Sequence, residues 1–436
     1  MNSSQDGYIV DVPYPTFVHR QTMPLWLNMI VQSKGFSAPD LVTPYRYLEL
    51  GCAMGIHLHL TAAANPLGHF VGVDFNQQHL MVAQEGLETT NIDNVEFIHA
   101  DFESFLNADI EPFDFIVTHG VWSWISSENQ NIVAQIVDKF LKKDGILYCS
   151  YMSHPGATSL VSVQKLMLET SKNLQGDSAT KAVQSLNLVR KIGTAKSGLF
   201  EKIPSLNQEL SELAQDKPNY IAHDFLSEHW QPQHSADMIQ RFGKLGLSYV
   251  GGAGIIENLD KISLPPEVQN VVKTLPLITL QETVKDIARY TLQRQDIYVK
   301  NRMPLNQQQL ENYYSTVKFG LLPAAPVRKD LSLDPKLGRI KDAIQIFEQI
   351  LELLNKNVLS MLELSSMLKQ NLPLKQLTEI VLVLMWAGYI HPCQHSETLS
   401  KFERSMNQWM FDQQLDWLCV TQYGTAIQRE GENRKL

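Results

Sequence analysis

The chain has 436 residues, two to three times the usual length of one domain, so we expect two or three domains. Apolar residues make up 44% and charged residues 19%, which is typical of a globular protein and excludes intrinsic disorder, collagen and coiled coil. No run of 18 apolar residues and no signal-peptide pattern are present, so we expect a cytoplasmic protein without a membrane span. The four cysteines lie far apart without a CxxC pair, which argues against a disulfide framework or a zinc ribbon.

The net charge of −9 is distributed unevenly along the chain. Residues 1–155 contain six Lys/Arg and seventeen Asp/Glu, whereas the rest is nearly balanced, with 31 basic and 29 acidic side chains. An acidic N-terminal unit argues against a nucleic-acid partner and favours a cationic one. A solvated acidic surface without a specific role is the alternative interpretation.

Apolar runs typical of strands alternate with helical stretches in the first 155 residues. The predicted strands are Tyr45–Leu50, His69–Val73, Val95–His99, Phe113–His119 and Gly145–Tyr151, and the predicted helices are His57–Ala64, Gln77–Glu88 and Gln130–Leu141. This alternation predicts an α/β fold with a parallel, Rossmann-like sheet and helices on both faces. Ligands of such sheets bind at the carboxyl ends of the strands.

Three successive strand ends carry residues suited to a nucleoside. The first strand runs into Glu49-Leu50-Gly51-Cys52-Ala53-Met54-Gly55, where small residues allow a tight turn and a close approach of ligand to backbone. The second ends in Asp74, a carboxylate that can accept both ribose hydroxyls, and the third in Asp101-Phe102, suited to an adenine ring. Because a pyrophosphate would be repelled by Glu49, the pattern favours a cationic cofactor over NAD or FAD.

The Glu-x-Gly-Cys-Ala-x-Gly turn resembles motif I of class I S-adenosylmethionine-dependent methyltransferases. The resemblance implies that the glycine turn lies under the methionine part of S-adenosyl-L-methionine, that Asp74 holds the ribose and that Asp101 meets adenine. The predicted cofactor-binding residues are Glu49, Gly51, Cys52, Ala53, Gly55, Asp74, Phe75, Asp101, Phe102, His119 and Gly120.

Further segments are similar to bacterial protein-lysine methyltransferases with a methyltransferase regulatory domain, whose best-known members modify rickettsial outer-membrane proteins. These segments are Thr118–Ile125, Ser150–Gly156, Tyr220–Leu226 and Gln295–Val299. The chain departs from that group in two places. It has Gly55-Ile56-His57 where the group has Gly-Gly-Asn, and Asp224 where the group has glutamate.

The catalytic candidates are Trp122, Tyr151, His223 and Asp224. Trp122 and Tyr151, with Trp124, are expected at the mouth of the cleft, where aromatic faces can hold a sulfonium or an ammonium. His223 and Asp224 are candidates for a base and its orienting partner, and burial in the core or a capping role is the alternative for all of these residues. His57 and His59 do not share a helix face, and no third ligand has suitable spacing, so no metal site is predicted.

The remaining chain is expected to form mainly helical accessory units. We expect a methyltransferase core at 1–157, a helical cap at 158–235, a return to the sheet at 236–260, an intermediate regulatory domain at 261–335 and a winged-helix-like domain at 336–436. The last unit has Lys375 alone among apolar residues on its predicted second helix, so a protein partner is favoured over nucleic acid. That partner is the substrate protein or, in a homodimer, a second copy of the chain.

Three functions are compatible with these patterns. The favoured one is N-methylation of lysine side chains on a protein substrate with S-adenosyl-L-methionine. Methylation of a small metabolite or sugar is the first alternative, expected if a small, closed pocket lies under the cap rather than an open groove that leads beyond residue 260. A non-catalytic methyltransferase-like scaffold is the second, although retention of Glu49, Asp74 and Asp101 argues against it.

Overall fold

Seven strands form the central sheet of the computed structural model, which describes residues 4–196, 198–323, 325, 344–394 and 401–429. In chain order they are β1 (Tyr45–Leu50), β2 (Gly68–Asp74), β3 (Val95–His99), β4 (Phe113–Thr118), β5 (Leu141–Met152), β6 (Leu247–Gly252) and β7 (Gln293–Lys300). Their order across the sheet is β3-β2-β1-β4-β5-β7-β6, and β7 is antiparallel to both of its neighbours. The switch in strand order lies between β1 and β4, where a ligand cleft is expected.

Helices cover both faces of this sheet, as predicted for a doubly wound fold. Alternate residues of β1 point to opposite faces, so that Tyr47 joins one core cluster whereas Leu48 and Leu50 join another. The helices of this part are Pro24–Ser33, Ile56–Ala64, Gln77–Thr90, Phe102–Leu106, Ser127–Phe140 and Ser235–Gly243. The Rossmann-like fold class is therefore confirmed, and the five predicted parallel strands are all present.

The sheet extends beyond the predicted return segment 236–260. That segment supplies β6, but β6 pairs with β7, and β7 lies within the stretch predicted as a separate intermediate domain at 261–335. Buried polar side chains explain why β7 escaped prediction, because Arg294 and Asp296 interrupt the apolar pattern of the strand. The other elements of this stretch are the helices Asp260–Ser263, Pro266–Thr274, Ile278–Arg289 and Gln307–Thr316.

Five helices form the segment predicted as a cap: Thr158–Ser171, Ser178–Gly193, Leu199–Lys202, Leu206–Leu213 and Pro218–Phe225. They share a hydrophobic core with residues from outside the segment, including Ile9, Val12 and Trp124. The N-terminal segment, residues 6–19, is thereby attached to these helices on one side. On the other side it is attached to the main core through Val18.

The C-terminal unit combines helices with short antiparallel strands. Its described helices are Ile344–Leu354, Met361–Met367, Leu374–Trp386 and Glu403–Asp412, and its strands are Lys318–Leu321, Leu359–Ser360, Ile390–Pro392, Trp417–Val420 and Thr425–Gln428. The winged-helix assignment stays a prediction, and the predicted boundary between the units 261–335 and 336–436 lies outside the described residues. Across the described ranges, no helix is long and apolar enough to cross a membrane.

Candidate functional site

A cavity of about 620 Å³ lies at the carboxyl ends of β1 to β4. Its wall includes every predicted cofactor-binding residue, namely Glu49, Gly51, Cys52, Ala53, Gly55, Asp74, Phe75, Asp101, Phe102, His119 and Gly120. These residues follow four different strands of the sheet. The parallel sheet therefore brings together side chains that lie up to 71 positions apart, from Glu49 to Gly120.

The turn after β1 is built from residues in the left-handed backbone region. Gly51, Ala53 and Gly55 have φ values of 74°, 47° and 68°. A Cβ at Gly51 would lie 2.5 Å from the side chain of Val121, and one at Gly55 would lie 2.5 Å from the ring of Phe97. Glycine is required at both positions, because neither the backbone angle nor the space admits a side chain.

Two carboxylates lie at the ends of β2 and β3, where the sequence predicts the ribose and adenine contacts. Asp74 is buried, with Oδ2 accepting a 2.9 Å hydrogen bond from the Ala53 backbone and Oδ1 accepting a 2.8 Å bond from the Asn76 backbone. Asp101 caps the helix Phe102–Leu106 by accepting a 2.7 Å bond from the Ser104 backbone, which lowers the pKa of its carboxyl group. Asp74 thus ties the glycine turn to β2 and keeps lone pairs for further donors such as ribose hydroxyls.

Glu49 is a buried carboxylate whose Oε2 atom has no hydrogen-bond partner among the described residues. Burial, together with the charge of Asp74, raises the pKa of Glu49 to about 8. Such a group is stabilised in its ionised form only when a cation or donor reaches it. The ammonium group of S-adenosyl-L-methionine fits this requirement, so the residues present suit the predicted cofactor.

The end of β4 is held by hydrogen bonds to β5. His119 Nδ1 lies 2.7 Å from the Tyr148 hydroxyl, and the Gly120 backbone donates a 2.9 Å bond to Ser150 Oγ. His57, at the position that departs from the Gly-Gly-Asn pattern, also lines the cavity, and its Nε2 lies 2.8 Å from Thr22 Oγ1. Across the described part of the chain, no group of three or more His, Cys, Asp or Glu residues is arranged to hold a metal ion.

Trp122 and Tyr151 do not lie at the mouth of the cavity, so this part of the prediction is wrong. Both side chains are fully buried in the core on one face of the sheet. Trp122 packs against Phe242, and the Tyr151 hydroxyl donates a 2.6 Å hydrogen bond to Asp296. Strand β5 continues to Met152, one residue beyond its predicted end at Tyr151, so Tyr151 is paired within the sheet. Trp124, two positions after Trp122, does reach the cavity wall.

His223 and Asp224 lie behind the N-terminal segment and not in the cavity wall. His223 is buried, with Nε2 2.9 Å from the Val12 carbonyl oxygen and its ring against Tyr8 and Tyr14. Burial raises the pKa of Asp224 to about 7. These two residues support the segment that contributes to the cavity wall, which differs from the predicted role as base and orienting partner at the acceptor.

The N-terminal segment contributes more of the cavity wall than the predicted cap does. Its wall residues are Asp6, Gly7, Tyr8, Tyr14, Pro15, Thr16, Phe17 and His19. The predicted cap, 158–235, contributes Glu228 and His229, which follow its five helices. Sequence reasoning missed the N-terminal residues because they lie in no regular element and far from the motifs. The one available signal was the density of aromatic residues and prolines between Tyr8 and His19.

Two family models match the chain. Residues 42–242 match a methyltransferase domain, and residues 217–300 match a predicted methyltransferase regulatory domain. Together with the Rossmann-like sheet and the cavity, these matches define an S-adenosylmethionine-dependent methyltransferase. More particularly, the chain is a methyltransferase that carries a methyltransferase regulatory domain, as the resemblance to the rickettsial type had implied.

Similar proteins cover nearly the whole chain. PKMT2 from Rickettsia typhi, solved in complex with AdoHcy, superposes with a TM-score of 0.69 and 20% identity over 95% of this chain and 86% of that chain. An uncharacterized protein of Synechocystis is 26% identical over 432 residues, which are 97% of this chain and 85% of the relative. An uncharacterized protein of Rickettsia prowazekii is 24% identical over 73% of this chain and 58% of the relative. The likeness to the fold of PKMT2 therefore extends beyond the central sheet to the accessory units.

Proposed function

We propose that the protein transfers methyl groups from S-adenosyl-L-methionine to the side-chain amines of lysine residues on a protein substrate. The observation that carries this proposal is the charge of the cavity. Seven carboxylate residues line it, and the described part of the wall contains no Lys or Arg. They are Asp6, Glu49, Asp74, Asp101, Glu103, Glu128 and Glu228. A cavity of this charge concentrates cations and disfavours anionic acceptors.

An amine acceptor needs to lose a proton before it can attack, since lysine has a pKa of about 10.4 in water. The cofactor supplies an electrophilic methyl group on a positively charged sulfur. A second positive charge beside that sulfur is unfavourable in a buried site, so the neutral form of the amine is favoured next to the bound cofactor. The other carboxylates of the wall provide acceptors for the released proton, since Glu49 is assigned to the ammonium group of the cofactor.

The likeness to PKMT2 is a second support for a protein acceptor, because it extends over the accessory units. We propose that the regulatory region and the C-terminal unit, with the division 261–335 and 336–436, recruit the substrate protein or a second copy of the chain. Nucleic acid remains disfavoured by the acidic surroundings of the site.

A small amine is the second candidate acceptor, and one observation favours it. The described cavity wall consists of residues up to Ile132 and of Glu228 and His229, so no residue beyond 260 contributes. A cavity of this kind accepts either a free small amine or a single extended side chain of a protein that docks outside.

The test is methyl transfer from S-adenosylmethionine with a tritiated methyl group into a bacterial extract separated into protein and metabolite fractions. We expect label in the protein fraction, released by acid hydrolysis as mono-, di- or trimethyllysine. Label confined to the metabolite fraction would replace the proposal by the small-amine function. Label in a different amino acid would reject lysine as the acceptor. The Asp74→Ala variant serves as the control for cofactor-dependent labelling.

A further inference from the structure

The aromatic residues of the N-terminal segment lie outside both matched family regions, because the first region begins at residue 42 and the second at residue 217. Tyr14, Phe17 and His19 nevertheless form part of the wall of the cofactor cavity. The segment is fixed on both sides, because Val12 and Val18 are buried in separate hydrophobic cores. The Val12 carbonyl oxygen is bonded to His223, and the Pro13 carbonyl oxygen accepts a 3.2 Å bond from Asn219. These rings are therefore placed by packing and are not a loose tail.

Two rows of rings, together the aromatic line, lead from the end of β4 to an exposed ring. In the first row, His19 stacks on His119 with 3.6 Å between ring centroids, and Phe17 lies 6.2 Å from His19. In the second, the Tyr14 hydroxyl lies 4.0 Å from the position of a Cβ at Gly120, and the Tyr14 ring lies 5.9 Å from that of Phe17. Phe17, where the two rows meet, is 42% exposed. Aromatic side chains thus line one wall all the way from β4 to the surface.

The order of the strands shows which part of the cofactor this line approaches. The ribose and adenine sites at Asp74 and Asp101 follow β2 and β3, on one side of the glycine turn after β1. His119 and Gly120 follow β4, on the other side of that turn. In a cofactor whose adenosine lies over β2 and β3 and whose amino acid lies over β1, the sulfur that joins them lies over the glycine turn, and β4 is the strand next to that turn on the side away from the adenosine. The aromatic line leads to that end of the cavity.

The chemistry of the line suits an amine. The faces of Tyr14 and Phe17 attract ammonium and methylammonium groups. Burial lowers the pKa of His19 to about 4 and that of His57 to about 3, so both imidazoles are uncharged at neutral pH and do not repel a cation. An uncharged imidazole can also accept a hydrogen bond from an amine. His57 Nδ1 is buried and has no partner among the described residues.

We propose that Tyr14, Phe17 and His19, with His119 behind them, form the acceptor subsite and receive an amine carried on an extended aliphatic chain. The proposal rests on the proposed function and adds the residues that select the acceptor. Aromatic faces along the whole path fit the methylene groups of such a chain, and the acidic cavity fits its terminal ammonium. The selecting residues therefore belong to the N-terminal segment and not to the methyltransferase domain.

The test measures binding of a methylated product analogue, Nα-acetyl-Nε-trimethyllysine amide, to the full-length protein saturated with S-adenosylhomocysteine. The neutral control ligand is Nα-acetylnorleucine amide. Phe17→Ala removes a half-exposed ring, and the matched control Phe411→Ala removes a ring of similar exposure, 45%, far from the cavity wall. The second variant is His19→Leu. It keeps a side chain of similar size packed against His119 but removes the imidazole ring. Calorimetry gives the affinity of each variant for the amide and for S-adenosylhomocysteine.

We expect the wild type to bind the trimethyllysine amide and not the norleucine amide. Phe17→Ala and His19→Leu should weaken this binding about fivefold, the effect of one lost aromatic contact with a cation, while S-adenosylhomocysteine affinity changes less than twofold. Phe411→Ala should match the wild type. Equal effects of Phe17→Ala and Phe411→Ala, or absence of amide binding by a wild type that binds S-adenosylhomocysteine, would overturn the subsite. Absence of S-adenosylhomocysteine binding by the wild type would instead overturn the proposed function.

Discussion

The Tyr151 hydroxyl donates a 2.6 Å hydrogen bond to Asp296, a residue 145 positions further along the chain. The bond joins β5 to β7 inside the sheet. Asp296 also accepts a 3.0 Å bond from the Tyr298 hydroxyl and a 2.9 Å bond from Arg294. Tyr151, which was expected to contact the methyl acceptor, is thus part of the buried hydrogen-bond network that holds the regulatory region to the methyltransferase sheet.

Replacement of Tyr151 should therefore affect stability and not cofactor binding. Tyr151→Phe removes one donor from a buried carboxylate, which we expect to lower the free energy of unfolding by about 1–3 kcal/mol. S-adenosylmethionine affinity should stay within twofold of the wild type. Urea unfolding and calorimetry measure the two quantities. Normal stability with lost methyl transfer would restore Tyr151 as a residue of the active site.

Arg294 is the cation of the same network and contacts three carboxylates. Its guanidinium lies 2.9 Å from Glu282, 2.7 Å from Asp286 and 2.9 Å from Asp296, and all four residues are buried. Arg294→Leu leaves Asp286 and Asp296 without their cation and Glu282 with Lys285 alone, so we expect a loss of about 3–5 kcal/mol in the free energy of unfolding. The control is Lys165→Ala, which removes an exposed ion pair with Glu169 and should leave the free energy of unfolding nearly unchanged. Similar losses for the two variants in urea unfolding would contradict a structural role for the network.

Asp74 is expected to dominate the binding of the ribose. Asp74→Ala should weaken S-adenosylmethionine binding by about 1–3 kcal/mol, because it removes a charged acceptor from the ribose hydroxyls. Asp74 also accepts a hydrogen bond from the Ala53 backbone. The matched control is therefore a variant that loses another carboxylate hydrogen-bonded to backbone N–H groups. Asp177→Ala is such a variant, as Asp177 accepts a 2.8 Å bond from Thr180 at the start of a remote helix. Calorimetry should show normal affinity for Asp177→Ala, and an unchanged affinity of Asp74→Ala would refute the placement of the cofactor.

The raised pKa of Glu49, about 8, predicts that cofactor binding depends on pH. Below this pKa the free protein carries a neutral carboxyl group, and binding of an ammonium requires release of its proton. The part of the S-adenosylmethionine affinity that depends on Glu49 should therefore fall by on the order of tenfold from pH 8.5 to pH 6.5. The Glu49→Gln variant cannot release this proton and should lose that part of the pH dependence. The amine of the cofactor titrates identically with both proteins, so parallel profiles would show that Glu49 does not meet the ammonium.

Local sequence patterns were sufficient to predict the first five strands and the cavity residues at the carboxyl ends of those strands. The glycine turn, Asp74 and Asp101 are set by strand ends, and strand ends follow from apolar runs and turn residues that lie close together in sequence. The carboxyl ends of parallel strands lie at one edge of the sheet, so pairing of the strands is enough to bring these residues together.

The errors concern residues whose surroundings depend on distant parts of the chain. Trp122 and Trp124 occupy one turn, yet Trp122 packs against Phe242 whereas Trp124 reaches the cavity, and the sequence of the turn does not distinguish them. Tyr14, Phe17 and His19 gain their place in the cavity wall from packing against the helical insertion and the main core. No periodicity of the N-terminal segment encodes those contacts.

The position of β7 between β5 and β6 has a consequence during protein synthesis. When the ribosome has released the chain as far as Gly252, β6 still lacks β7, its partner in the described sheet, and β5 is an open edge. Synthesis at about 5–20 residues per second leaves this edge uncovered for roughly 2–10 s, until Lys300 emerges. An open edge of a parallel sheet can pair with another nascent chain. During this interval the nascent enzyme can therefore misassemble with another chain, and the interval ends only when β7 inserts between β5 and β6.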